Sequence, residues 1–319
     1  MNTAASPTAT PWQRVVDAPC ALGESPFWHP KEQRLYWVDI ALKRLWRLHV
    51  PSNHLEYWDL PQEPGSIAPC RSGALLIAMR DGIYQSFTWH DIPQKVANAP
   101  YDSSRIRFND GKCDVWGRFW VGTAVDARDR PDGALYCLHQ MSGAHPKLHM
   151  VESGVMVSNG LAWSPDGRTM YWADTSRHNI FRYDLSQPGQ WPPQLGPVNP
   201  LARFTPKPAD WTFEQALGKD YGGRPDGAAV DSAGRYWIAM YEGARVLCLS
   251  PKGDLVAEYP TPAQCPTMVC FGGSDLRTLY LTTARQKRSS AELAHYPDSG
   301  AVFSMRVDTP GLPVNFYWD

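Results

Sequence analysis

The chain has 319 residues, 43% of them hydrophobic, and a formal net charge of −1. That length and apolar content supply a substantial core, and scattered Lys and Arg leave no basic stripe for nucleic acid or an anionic membrane. Fourteen Trp, 25 Gly and 29 Pro favour strands and turns over long helices. Seven cysteines (20, 70, 113, 137, 248, 265 and 270) form no CxxC pair, which fits buried thiols in a reducing compartment.

The opening residues, MNTAASPTATP, lack the basic n-region and apolar h-region of a signal peptide, and 1–11 are expected to be a disordered leader. No run approaches the ~18 apolar residues of a membrane span. The expected location is therefore the cytoplasm, with residues 12–319 forming a single domain.

From residue 24 onward one hairpin-like phrase recurs six times. Its copies begin at Glu24 (ESPFWHPKEQRLYWVD), Ser66 (SIAPCRSGALLIAM), Asn109 (NDGKCDVWGRFWVGTA), Asn159 (NGLAWSPDGRTMYWAD), Asp226 (DGAAVDSAGRYWIAMY) and Thr267 (TMVCFGGSDLRTLYLTTA). Successive starts lie 42, 43, 50, 67 and 41 residues apart, the spacing of four-stranded propeller blades with one long insertion. From each start to the matching bulky residue the step is 11 (Ile77, Trp120, Trp237) or 13 (Trp37, Trp172, Tyr280). A difference of two keeps every side chain on its own face of the strand.

A third strand is predicted after each hairpin: Arg44–Leu48, Gly82–Ser86, Ala134–Leu138, Ile180–Asp184, Arg245–Leu249 and Ala301–Arg306. Outer strands are predicted at Leu55–Leu60, Lys147–Val151, Ala202–Thr205 and Leu255–Tyr259, and Trp12–Asp17 is expected to complete the sixth blade and close the ring. The insertion PADWTFEQALGKDYGGRPDG reads as a surface loop with one helical turn. The fold class is all-β, a six-bladed β-propeller of four-stranded antiparallel blades around a central channel.

In such a ring the six starts gather at one mouth of the channel, and all six are polar. Polar starts can simply solvate a channel rim. A Glu, an Asn and an Asp converging from different blades do more, because their oxygens suit a divalent cation that relieves the repulsion of two carboxylates. His29, in a turn, and His178, before a strand, are expected to face solvent.

The segments LGESPFWHPKEQRLYWVDI, RIRFNDGKCDVWGRFWVGT, SNGLAWSPDGRTMYWADT and GRPDGAAVDSAGRYWIA, in this order, resemble the SMP-30/gluconolactonase family, which includes regucalcin and bacterial sugar lactonases. The resemblance covers about 18 to 307. It implies a six-bladed propeller holding one divalent metal cation (Ca, Zn, Mn, Mg or Fe(II)) at Glu24, Asn159 and Asp226. It implies substrate contacts at Arg107 and Asn109, and makes Asp226 the general base. Family members often carry an acidic pair after the Gly-Thr of the third blade; here GTAVDARDRPDG leaves Asp126 or Asp129, and Asp126 is taken as the third substrate-binding residue.

These residues suit hydrolysis of a cyclic ester. A carboxylate takes a proton from the attacking water, and Arg107 presents a fork of donors to hydroxyls or growing charge. Read alone, Arg107 pairs with Asp102 on the surface and Asn109 with Asp110 shapes a turn. The expected activity is hydrolysis of a sugar lactone, the small-molecule partner, to its aldonic acid in carbohydrate oxidation. The alternatives are a non-catalytic calcium-binding or scaffold propeller and a related ester or phosphotriester hydrolase.

Overall fold

Each recurrent phrase folds as the inner hairpin of an antiparallel sheet, as its alternation of small, apolar and polar residues requires. The computed structural model describes residues 11–141, 144–185, 187–216 and 221–319, and within them six four-stranded sheets form the blades of a propeller. The inner strands are Gly23–His29, Pro64–Pro69, Ile106–Cys113, Ser158–Trp163, Arg224–Val230 and Pro266–Gly272. Each touches the next, and the sixth touches the first, so the ring closes.

Closure uses the chain's beginning. Gln13–Arg14 pairs with Phe303–Ser304 as the outer strand of the sixth blade, inside the Trp12–Asp17 stretch the sequence nominates. The expected leader lies outside the described residues except for Pro11.

Two outer strands differ from expectation. The second blade ends in Gln94–Asn98, whose polar text shows no alternation and which gains its place by pairing with Gly82–Ser86. The fourth ends in Val198–Arg203 rather than Ala202–Thr205; Pro200 is tolerated because this is an edge strand. The long insertion contains the helical turn Phe213–Ala216, and 217–220 of it fall outside the described residues.

Both histidines expected in solvent are buried. His29 Nδ1 accepts from the Glu32 amide at 3.2 Å, and its ring lies edge-on to Phe316 at 5.5 Å. That partner belongs to the C-terminal segment, which bridges to the blades at Gly311–Asp231 and Tyr317–Cys70. His178 sits in the left-handed region at φ 57 and accepts from the Lys207 amide at 3.3 Å. The seven cysteines are free and buried, as read, and burial pushes the Cys265 and Cys270 thiols up to about 12.

Two hairpins of the 11-residue class share a buried lock, spelled DVWGRFW at 114–120 and DSAGRYW at 231–237. Asp114 accepts from the Trp116 and Arg118 amides at 3.0 Å each, from Arg118 Nε at 2.6 Å and from Trp120 Nε1 at 2.7 Å. Asp231 repeats the pattern with the Ala233 and Arg235 amides, Arg235 Nε and Trp237 Nε1. One carboxylate thus closes the turn and orients the core indole. Asp114→Ala strands the Arg118 guanidinium, only 2% exposed, without its counter-charge. The expected loss is about 3–5 kcal/mol in urea-unfolding free energy; a loss below about 1 kcal/mol would show the lock to be dispensable.

Candidate functional site

Every inner hairpin carries one extra residue at its head. The register shifts between Glu24 and Phe27, Pro64 and Ser66, Phe108 and Gly111, Asn159 and Ala162, Pro225 and Ala228, and Pro266 and Met268. A bulge of this kind bends the strand and re-aims a side chain. In four blades the residue concerned is Glu24, Asn109, Asn159 or Asp226. In the fourth blade Gly160 makes the bend at φ 65, where a Cβ would also overlap the Tyr236 hydroxyl.

Glu24, Arg107, Asn109, Asp126, Asn159 and Asp226 all line one cavity of about 200 Å³. The sequence-nominated residues therefore come together. Asp129 is absent from that lining and lies 3.4 Å from Arg105 instead. Asp126 is at the mouth, paired with Arg80 Nη1 at 2.8 Å; Arg80 also holds Glu63.

A chain of donors crosses three blades. Arg107 Nη1 donates to Asn109 Oδ1 at 2.7 Å, and Asn109 Nδ2 donates to Asn159 Oδ1 at 2.8 Å. Asn159 Nδ2 then donates to Thr175 Oγ1 at 2.8 Å, and that hydroxyl donates to the Pro225 carbonyl at 2.8 Å. Pro225 immediately precedes Asp226, so the relay ties the two amides to the strand that carries the carboxylate. It also answers the surface reading of Arg107, since Asp102 bonds to Ser104 and the arginine turns inward.

A third carboxylate, Asp110, lies beside Glu24 and Asp226. Its Oδ2 accepts from the Leu161 amide at 2.9 Å, and its Oδ1 is buried with no partner. Glu24 is held well above the usual carboxylate range, first by burial and then by Asp226 and Asp110. Asp226 is raised by burial, against the opposing charges of Arg224, Arg128 and Arg107. Asp110 is raised by burial too, and Lys112 opposes this.

The carboxylates of Glu24 and Asp226 and the amide oxygen of Asn159 are hard oxygen donors of the kind that suits a divalent cation. Among the described residues no trio of His, Cys, Asp or Glu is arranged to hold a metal, so such an ion would also depend on the amide oxygen of Asn159.

The sequence pattern described as "SMP-30/Gluconolactonase/LRE-like region" matches residues 22–285. The chain belongs to the SMP-30/gluconolactonase family. A 6-deoxy-6-sulfogluconolactonase of Pseudomonas putida is 42% identical over 297 residues, covering 93% of this chain and 95% of the relative. Pentonolactonase XacC of Haloferax volcanii is 33% identical, covering 94% of this chain and 96% of the relative. The crystal structure of a regucalcin from Agrobacterium tumefaciens, a calcium-binding protein by its description, superposes with a TM-score of 0.84 at 24% identity. It covers 95% of this chain and 96% of its own, and shows the shared fold.

In this family member several pocket residues escaped sequence reading. Asp110 reads only as shaping a turn with Asn109, and Thr175, just after the strand Thr169–Asp174, is not singled out by the sequence. Arg224, two residues before Asp226, is 3.4 Å from the buried Glu242, which also binds Lys207 and Arg288. Arg128 and Lys287 line the mouth from loops between second and third strands, where no repeated phrase marks a position.

The raised Glu24 carboxyl has a consequence for stability. Its folded pKa exceeds the unfolded value of about 4.3, so its contribution is complete below that pH and is lost as pH rises through the folded value. Thermal unfolding with chelator present should therefore show Glu24→Gln melting higher than the wild type by roughly 2 °C or more at pH 8. The gap should close toward pH 5. A gap that is constant or grows in acid would contradict the assignment.

Proposed function

We propose that this pocket hydrolyses a sugar lactone, an aldonolactone, to the aldonic acid during carbohydrate oxidation, with one divalent cation held by Glu24, Asn159 and Asp226. The observation that carries this reading is the convergence of two raised carboxylates and a fixed amide beneath an inward-facing arginine. Lactonases among the relatives, named for sulfogluconolactone and pentonolactone, support hydrolysis of a cyclic carboxylic ester. The chain is a lactone-hydrolysing carboxylic ester hydrolase.

When bound, the cation supplies Lewis acidity toward the ester carbonyl. Everything else falls to the protein's own side chains. Arg107, lowered first by burial, keeps an available nitrogen beside the one that bonds Asn109 and directs it at sugar hydroxyls or the growing negative charge. Asn109, fixed at both ends of its amide, orients the ring through the remaining lone pair of its oxygen. Asp226 accepts the proton of the attacking water and returns it to the departing ring oxygen, which becomes the hydroxyl of the open acid. Burial favours proton uptake by this carboxyl, while Arg224 limits how far its pKa rises. Asp126, held by Arg80, borders the mouth and contacts the sugar's outer hydroxyls.

Chelation should abolish turnover, and Mn²⁺ or Ca²⁺ should restore it, because the proposed donors are all oxygen. Asp226→Asn keeps an oxygen for the cation but cannot take up a proton. Lactone hydrolysis in that variant should fall at least ~100-fold, with cation binding still measurable by calorimetry at high concentration. Near-normal turnover in Asp226→Asn would remove it as the base, and full turnover by verified metal-free protein would remove the cation.

A further inference from the structure

Five cationic residues line the pocket, and three of them are already engaged. Arg80 is taken by Glu63 and Asp126, Arg224 by Glu242, and Arg107 by Asn109 and the Phe108 carbonyl. The other two are Arg128 and Lys287. Neither side chain has an ion pair or hydrogen bond among the described residues.

Arg128 is unpaired in a loop full of carboxylates. Around it Asp126 reaches Arg80, Asp129 lies 3.4 Å from Arg105, and Asp132 lies 3.5 Å from Arg130. Arg128 takes the left-handed conformation at φ 50, its amide closing a turn on the Val125 carbonyl at 3.1 Å. The turn sends its side chain to the cavity lining, near enough to Asp226 for its charge to favour that carboxylate.

Lys287 also lines the cavity. It too is left-handed, at φ 56, in the loop between the second and third strands of the sixth blade. In a six-membered ring the third and sixth blades are opposite each other. Two unpartnered cations therefore flank the entrance, while the acids of the floor lie at the strand heads.

We infer that the lactone this enzyme takes carries an anionic substituent at the end remote from its ester, and that Arg128 and Lys287 hold that anion between them. The inference rests on the lactonase reading, which places the ester at the floor and directs the other end of the sugar outward. A neutral hydroxymethyl group gives two full cations nothing to neutralise. A sulfonate, phosphate or carboxylate does, through charge-assisted hydrogen bonds in which the guanidinium fork and the ammonium each donate. Because the mouth is open to solvent, the attraction also has a long-range part that salt screens.

The test compares kcat/KM for gluconolactone with three anionic counterparts: 6-phosphogluconolactone, 6-deoxy-6-sulfogluconolactone and the 6-carboxylate glucarolactone. Wild type, Arg128→Gln and Lys287→Gln are each measured at low and at high salt. At least one anionic lactone should exceed the neutral one by about ten-fold or more, and its identity names the anion. Each substitution should lower the anionic-to-neutral ratio by about ten-fold, mainly through KM, as expected for a lost hydrogen bond to a charged group. Added salt should lower the same ratio in wild type.

Preference for the neutral lactone, or a ratio unmoved by both substitutions, overturns the inference and leaves the two cations merely solvated. If no lactone of either kind is hydrolysed, the lactonase reading fails, and calorimetry with 6-phosphogluconate then decides separately. Binding weakened about ten-fold in Arg128→Gln upholds the anion site, and equal binding by both proteins overturns it.

Discussion

Neighbouring inner strands approach one another so closely that some of their positions admit only glycine. A Cβ on Gly65 would run into the Phe108 carbonyl of the next blade, and one on Gly227 would run into Met268. The polar groups of the site sit where a strand leaves the ladder. The one-residue bulge at each strand head provides that departure, and it does so in all six blades at the same end of the channel. Once Glu24, Asp110 and Asp226 occupy such positions, burial and mutual repulsion follow from geometry alone. Their raised pKa values are the electrostatic trace of that crowding.

The pocket sets both signs of charge around a neutral centre. Glu24 and Asp226 lie at strand heads, a neutral relay of Asn109, Asn159 and Thr175 crosses between blades, and arginines and a lysine share the lining with Asp126 and Glu63. The relay is energetically self-contained, since each amide hydrogen and hydroxyl proton used in it has a named acceptor. That matters in a buried site, where an unmet donor costs about 1–3 kcal/mol. The oxygens of Asn159 and Asn109 are thereby held in fixed orientations by the fold itself.

Much of this was legible because the repeat carries its own internal check. The two-residue difference between hairpin classes preserved facing, and the Asp-x-x-Gly-Arg-x-Trp text of two hairpins turns out to be a turn lock that fixes the indole to the shorter register. Glu24, Asn109, Asn159 and Asp226 were found by position within that repeat. What escaped has a common cause: it depends on segments far away in sequence or outside the repeat. His29 is buried by Phe316 of the C-terminal segment, and His178 by the loop bearing Lys207. The outer strand Gln94–Asn98 has no apolar pattern of its own to read. Arg128 and Lys287 sit on loops whose side chains are directed by single left-handed residues, which composition does not reveal.

The central claim is that the strand-head bulges bring Glu24, Asn159 and Asp226 to a single point that a divalent cation can occupy. Anomalous diffraction from crystals grown with Mn²⁺ tests it most directly. The account predicts one strong peak per chain, within coordination distance of the Glu24 and Asp226 carboxylates and the Asn159 amide oxygen. No peak at saturating Mn²⁺, or one held by other residues, would contradict it.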